Sequence, residues 1–144
     1  MAAIGPFEWD EEAAASLAKE ARREGFTHID RLIENWRSGS NRFDRPGETL
    51  LAGRSGSAIV AVGGLNIDPY QNDPRVGRVR HLYVMPDQRR TGVGRRLVGE
   101  LLGRARGWFG AVRVRAAQGE APLFYDAVGF QRVDAPDASH CIRI

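Results

Sequence analysis

Polar and apolar residues alternate in two distinct rhythms along this chain, and the change of rhythm at one place organises the rest. Arg78 to Met85 is rich in β-branched and aromatic residues, which suits a strand. Pro86-Asp87 ends it, because proline lacks the N–H that a ladder needs. From Val93 the apolar positions are Val93, Leu97, Val98, Leu101, Leu102 and Ala105. Those spacings predict an amphipathic helix that opens directly out of a glycine-bearing loop.

The same rhythms recur on either side. Asp10 is placed to cap a helix from Glu11 to about Glu24, with acids in its first turn, Arg22-Arg23 in its last and Gly25 at its end. A second helix is predicted from about Thr27 or His28 to Arg37, with Ile29, Leu32, Ile33 and Trp36 on one stripe. Residues 2–7 make a doubtful first strand, since Gly5-Pro6 interrupts it. Glu48–Arg54 and Ser57–Ile67 read as a hairpin turning at Ser55-Gly56. Beyond the central helix come a strand at Ala111–Ala116, a short helix at Glu120–Val128, and strands at Phe130–Val133 and Ser139–Ile144. This order predicts an α/β (α+β) fold: a mixed, mostly antiparallel sheet of about six or seven strands flanked by about four helices, with one parallel pair across the long helix.

Length and composition narrow the picture. The 144 residues suit one domain, 1–144, with a helical segment at 1–47 and a sheet-bearing core at 48–144. The longest apolar run, around Ala58 to Val62, is far short of the ~20 residues of a membrane span. The N-terminal stretch has neither the positive start nor the apolar run of a secretory signal, so a cytoplasmic protein is expected. A lone cysteine, Cys141, excludes an internal disulfide, and His28, His81 and His140 lack metal-ligand spacing, so no metal is expected. His140 and Cys141 are neighbours on a predicted strand, so they face opposite ways and form no dyad.

Charge changes the reading more. The net charge is only +3, but eleven arginines fall between Arg75 and Arg115 against two acids, Asp87 and Glu100. Among them lies Arg89-Arg90-Thr91-Gly92-Val93-Gly94, leading into Arg95 and Arg96. Gly92 and Gly94 let the backbone bend and approach a ligand closely. The first turn of a helix has unpaired N–H groups and a dipole that favours an anion, so this loop suits a phosphate or pyrophosphate. Basic clustering also fits nucleic acid, but the aromatic interleaving of a single-strand binder is absent and no nucleic-acid partner is expected.

Arg89-x-x-Gly92-x-Gly94 resembles the Q/R-x-x-G-x-G/A acyl-CoA signature of the GNAT N-acetyltransferase superfamily. Leu82-Tyr83-Val84 with Pro86 looks like that family's fourth strand, and Leu123 to Phe130 resembles its second signature, Y-x-x-x-G-F. The resemblance runs from about Glu48 to Ile144. It implies acetyl-CoA as donor, a primary amine of a small molecule or peptide as acceptor, and direct attack in a ternary complex. A homodimer through late strands would also fit it. It further implies that Arg89, Arg90, Thr91, Gly92, Val93, Gly94 and Arg95 hold the pyrophosphate, that Leu82, Tyr83 and Val84 pair with the pantetheine arm, and that Tyr125 protonates the leaving thiolate. Gln118 stands where many members carry a cofactor-contacting asparagine. Trp36, Arg42, Phe43 and Arg45 could line the acceptor pocket. Where members carry a glutamate base, this chain has Arg78 and Arg113, neither able to accept a proton. A water chain, His81 or Glu48 remains for that role, while Arg78, Arg80, Arg113 and Arg115 form either an anion-binding set or a solvated basic face. A non-catalytic acyl-CoA-binding module is the alternative reading.

Overall fold

In the computed structural model, which describes residues 2–116 and 119–144, seven strands form one sheet. In chain order the elements are β1 (Ala3–Pro6), α1 (Glu11–Arg23), α2 (His28–Ser38), β2 (Thr49–Ser55), β3 (Ala58–Ile67), β4 (Val76–Val84), α3 (Val93–Ala105), β5 (Ala111–Val114), α4 (Ala121–Ala127), β6 (Gln131–Arg132) and β7 (His140–Arg143). The strands lie side by side as β1-β2-β3-β4-β5-β7-β6. Every pairing is antiparallel except β4 with β5, the pair that α3 joins. Among the described residues no helix is long and apolar enough to cross a membrane.

Local chemistry explains the boundaries. Asp10 caps α1 by accepting from the N–H groups of Glu12 and Ala13, both at 3.1 Å. Residues 3–6 do form a strand despite Gly5-Pro6, because β1 is the sheet's edge, where a missing N–H costs least.

The sheet separates two apolar layers. On one face α3 buries Val93, Leu97, Val98 and Leu101 against Leu51, Leu65 and Val79. On the other, α1 and α2 bury Leu17, Ile29 and Leu32 against Leu50, Val62 and Tyr83.

Two irregularities fall in β4. Its pairing with β5 ends at Arg78 opposite Arg113, yet β4 continues to Val84. The two parallel strands therefore part, leaving the far edge of β4 open. On the β3 side, Val62 faces Tyr83 and Gly64 faces Arg80, so His81 and Leu82 together oppose Gly63. This is a β-bulge, and His81 takes a φ of 60° within it. A non-glycine residue in that region signals strain held by its surroundings.

Candidate active site

The open edge of β4 presents donors. Met85 donates its N–H to Val60 of β3 (2.8 Å), so strand alternation turns the N–H and C=O of Val84 to the open side. The Val84 carbonyl already accepts from Arg89 Nε (3.1 Å), and the Leu82 carbonyl accepts from His28 Nε2 (3.0 Å). With its carbonyls occupied, the edge suits a partner that brings an acceptor oxygen.

Directly after β4, a 3-10 turn at Pro86–Gln88 leads to the glycine loop. Arg90 and Gly92 have φ of 65° and 85°, and Gly92 is the N-cap of α3. The first backbone bond of α3 runs from Arg96 N–H to the Gly92 carbonyl (3.0 Å), and no side chain caps the helix. The N–H groups of Val93, Gly94 and Arg95 therefore point out of the helix start without an internal partner. A Cβ on Gly94 would sit 3.4 Å from Val84 Cγ2 and 3.5 Å from Phe124 Cε1. Gly94 is thus where β4, α3 and α4 meet. Arg95 adds to this junction by donating to the Ala127 carbonyl at the end of α4 (3.2 Å).

The cleft is thus a parted strand edge running into a loop of free amides. The model of the acetyltransferase (GNAT) family matches residues 11–130. The chain belongs to the GNAT family. It is accordingly an acyltransferase that uses acyl-CoA. A proposed acetyltransferase from Exiguobacterium sp. 255-15 is 27% identical, with a TM-score of 0.87 over 99% of this chain and 93% of that one. The GNAT family N-acetyltransferase YhbS of Escherichia coli, solved in complex with CoA, is 18% identical, with a TM-score of 0.72 over 99% of this chain and 81% of that one. Glucosamine-6-phosphate N-acetyltransferase from Arabidopsis thaliana is 16% identical, with a TM-score of 0.64 over 96% and 97%. A search of curated protein sequences finds no match.

In this GNAT protein the loop arginines divide. Arg89 turns away from the loop. Its guanidinium clamps Glu24 at the end of α1 with bonds of 2.6 and 2.7 Å, and Tyr83 donates its hydroxyl to the same carboxylate. The bonds from Arg89 hold the Glu24 carboxyl below its usual range, and those from Glu24 raise Arg89. Arg96 donates to the Ala2 carbonyl (2.6 Å). The Thr91 hydroxyl donates to the Gln88 carbonyl, which shapes the loop. Glu24 lies 65 residues before Arg89, and nothing in the sequence pattern pairs them.

Tyr125 is buried on α4, between the rings of Phe124 (5.1 Å) and Phe130 (5.3 Å). Burial pushes its phenol above the ordinary 10.0. His140, expected to form no dyad with Cys141, instead bonds Asp126 (2.9 Å) and Ser139 (2.8 Å) beneath that ring. Gln118 lies outside the described residues.

The candidates for the base and the acceptor pocket are spread across the α1/α2 face. Glu48 is occupied: its carboxylate accepts from the Ile67 N–H (2.8 Å) and from Arg45. Trp36 stacks on Trp9 with ring centroids 4.4 Å apart, and Arg42 donates to the Trp36 carbonyl. Phe43 is buried, its ring lying where a Cβ on Gly64 would be, only 2.4 Å away. His81 is 8% exposed and meets Phe43 edge to face at 6.1 Å. Its Nδ1 lies 2.9 Å from the His28 carbonyl, an acceptor only, so the proton is on Nδ1 and Nε2 carries the lone pair. That Nε2 is buried and has no partner among the described residues. Burial, reinforced by Arg80, lowers the ring to about 3, so it is neutral at every working pH.

The strand arginines form no uniform basic face. Arg78 and Arg113 share Asp68, at 3.3 and 3.6 Å, and Arg113 also pairs with Asp137 at 2.8 Å. Both are neutralised inside the sheet, as counter-ions from distant loops that the local sequence did not reveal.

Proposed function

We propose that this chain transfers the acetyl group of acetyl-CoA to a primary amine by direct attack in a ternary complex. The observation that carries it is the parting of β4 from β5 beside the amide-lined loop at Arg90–Arg95. The residues fit the donor. The free N–H groups of Val93, Gly94 and Arg95, with Arg90 and Thr91 before them, hold the pyrophosphate at the helix start. The open edge at Leu82–Val84 lies along the pantetheine arm, and the unused Val84 N–H faces the thioester oxygen. A fixed donor of that kind contributes roughly 3 kcal/mol in other acyl transfers. Arg89 holds the loop against α1 through Glu24. In this reading residues 1–47 cover the acceptor side and residues 48–144 carry the donor site.

Two side chains serve the chemistry. Tyr125, kept protonated by burial, gives a proton to the departing thiolate. His81 Nε2 accepts a hydrogen bond from the attacking nitrogen. Because the ring is so weak a base, it aligns the neutral amine, and the proton that the nitrogen sheds as the C–S bond breaks passes to solvent water, while Tyr125 is reprotonated from solvent in turn.

Calorimetric titration with acetyl-CoA tests the reading. Wild-type protein is expected to bind, and Gly94→Trp is expected not to, since an indole at that position collides with Val84 and Phe124. A matching far-ultraviolet spectrum would show that the variant is folded. Failure of the folded wild type to bind would overturn the proposal.

A further inference from the structure

Four strand-region arginines were candidates for an anion site, and their surroundings differ sharply. Arg78 donates to Asp68 and to the Asp137 carbonyl, and its guanidinium lies 4.8 Å from the centre of the Tyr70 ring. Arg113 is held by Asp137 and Asp68. Arg115 is exposed beyond the end of β5. Arg80 is half-buried in β4, and among the described residues no ion pair or hydrogen bond engages it. Asp68, the buried acid whose charge acts on Arg80, is already committed: one oxygen accepts from the Tyr70 N–H (2.7 Å) and the other serves Arg78 and Arg113. Burial and the charge of Arg78 both push Arg80 below the usual arginine value. Arg31 of α2 adds more positive charge nearby. A guanidinium has five N–H donors, and leaving them unmatched in a half-buried place is unfavourable.

The neighbours of Arg80 are equally unsatisfied. His81 Nε2 and Asn66 Oδ1 are buried acceptors without partners among the described residues. Arg80 lies across from Gly64, on which Phe43 rests, and Asn66 is two residues further along the same face of β3. Phe43 also touches the His81 ring. The α1/α2 face thus gathers one unmatched cation and two unmatched acceptors, at the bulge that leads into the open edge. An oxyanion matches the guanidinium fork, and an amine N–H matches the acceptors.

We propose that Arg80 is the anion subsite of the acceptor: the amine that is acetylated also carries an oxyanion, held by Arg80 while its nitrogen faces His81 Nε2. This inference rests on the acetyl-transfer reading above. It commits to small amino compounds bearing a carboxylate or a phosphate, the two sources of that chemistry.

Thiol release from acetyl-CoA would be measured with matched acceptors: amino acids beside their carboxamides, and O-phosphoethanolamine beside ethanolamine. The anionic member is expected to win in kcat/KM by roughly ten- to a hundredfold, the worth of one charged hydrogen-bonded contact. The winning pair tells carboxylate from phosphate. Arg80→Ala should collapse that advantage, Arg80→Lys should keep part of it, and Arg115→Ala should keep it whole. An advantage that is absent from wild type, or survives Arg80→Ala, overturns the subsite. If no acceptor in the panel turns over, binding decides. CoA-loaded protein would be titrated with N-acetyl amino acids and N-acetyl-O-phosphoethanolamine beside their neutral counterparts. Tighter binding of the anions, lost in Arg80→Ala, supports the subsite, and equal or no binding overturns it. Absence of acetyl-CoA binding would instead bring down the acetyl-transfer reading, which the calorimetry reports separately.

Discussion

Among the described residues, packing sets Tyr125 in place. Phe124, Phe130 and His140 surround its ring, and His140 is in turn fixed by Asp126 and Ser139. A phenylalanine would fill the same space, so Tyr125→Phe removes the phenol hydroxyl, the proton donor of the proposed reaction, and little else. We expect kcat for thiol release to fall roughly a hundredfold, a typical loss for a general acid, with the melting temperature and acetyl-CoA affinity nearly kept. An unchanged kcat would take the role away from Tyr125. Its neighbour in composition, Tyr83, is a poor substitute. That hydroxyl donates to Glu24, and burial and Glu24 both raise its phenol. The sequence pattern marks Tyr125 because its spacing to Gly129-Phe130 is local. It does not mark Glu24, Asp68 or Asp137, whose partners lie far along the chain and are decided by packing.

At the scale of elements, β4 carries both irregularities of the cleft, and they were unequally legible. Its composition predicts a strand at Arg78–Met85, and the observed strand begins two residues earlier, at Val76. The long helix is legible because its stripe repeats for thirteen residues. The bulge at His81-Leu82 leaves no trace in periodicity, since one extra residue merely shifts the alternation. The parting of β4 from β5 is invisible for another reason: β5 is short, and pairing depends on where two strands diverge, not on which residues they hold. The bulge has a measurable consequence. Its His81 is neutral in the fold down to about pH 3, against an ordinary 6.5, with Arg80, His28 and Arg31 as the charged or titratable groups about it. The unfolded chain takes up that proton near pH 6.5, so acid favours unfolding, and the loss accumulates from pH 6.5 towards 3. At pH 5 it amounts to about 2 kcal/mol. His81→Asn, which tolerates the positive φ, should therefore lose about 2 kcal/mol less than wild type between pH 7 and 5, read by urea unfolding. Equal losses would show that the buried ring does not titrate in this way.

For the molecule as a whole, the arginine-rich composition suggests a basic protein surface, but the fold uses much of that charge internally. Glu24 takes Arg89, Asp126 takes Arg132, and Asp68 with Asp137 takes Arg78 and Arg113. These pairs differ in weight. The Arg37–Glu11 pair is exposed, and such pairs contribute little. Asp68 is the opposite case: its side chain is 0% exposed, and those of Arg78 and Arg113 are 6% and 12% exposed. It follows β3, holds one arginine from β4 and one from β5, and does so at Arg78 opposite Arg113, the last rung before those strands part. Asp68 therefore sits at the fork of the cleft and bridges its two strands, with Asp137 as the second carboxylate on the Arg113 side. Asp68→Asn keeps the shape but takes the carboxylate from the buried Arg78, while Arg113 keeps Asp137. Breaking a buried pair in this manner costs about 3–5 kcal/mol, and we expect a loss of that size in urea unfolding at pH 7. The β4–β5 rung should weaken first, so the amide protons of Val112 to Val114 should exchange faster than those of β2 and β3. A loss under ~1 kcal/mol, the scale of a surface ion pair, would mean that Asp137 alone holds the fork.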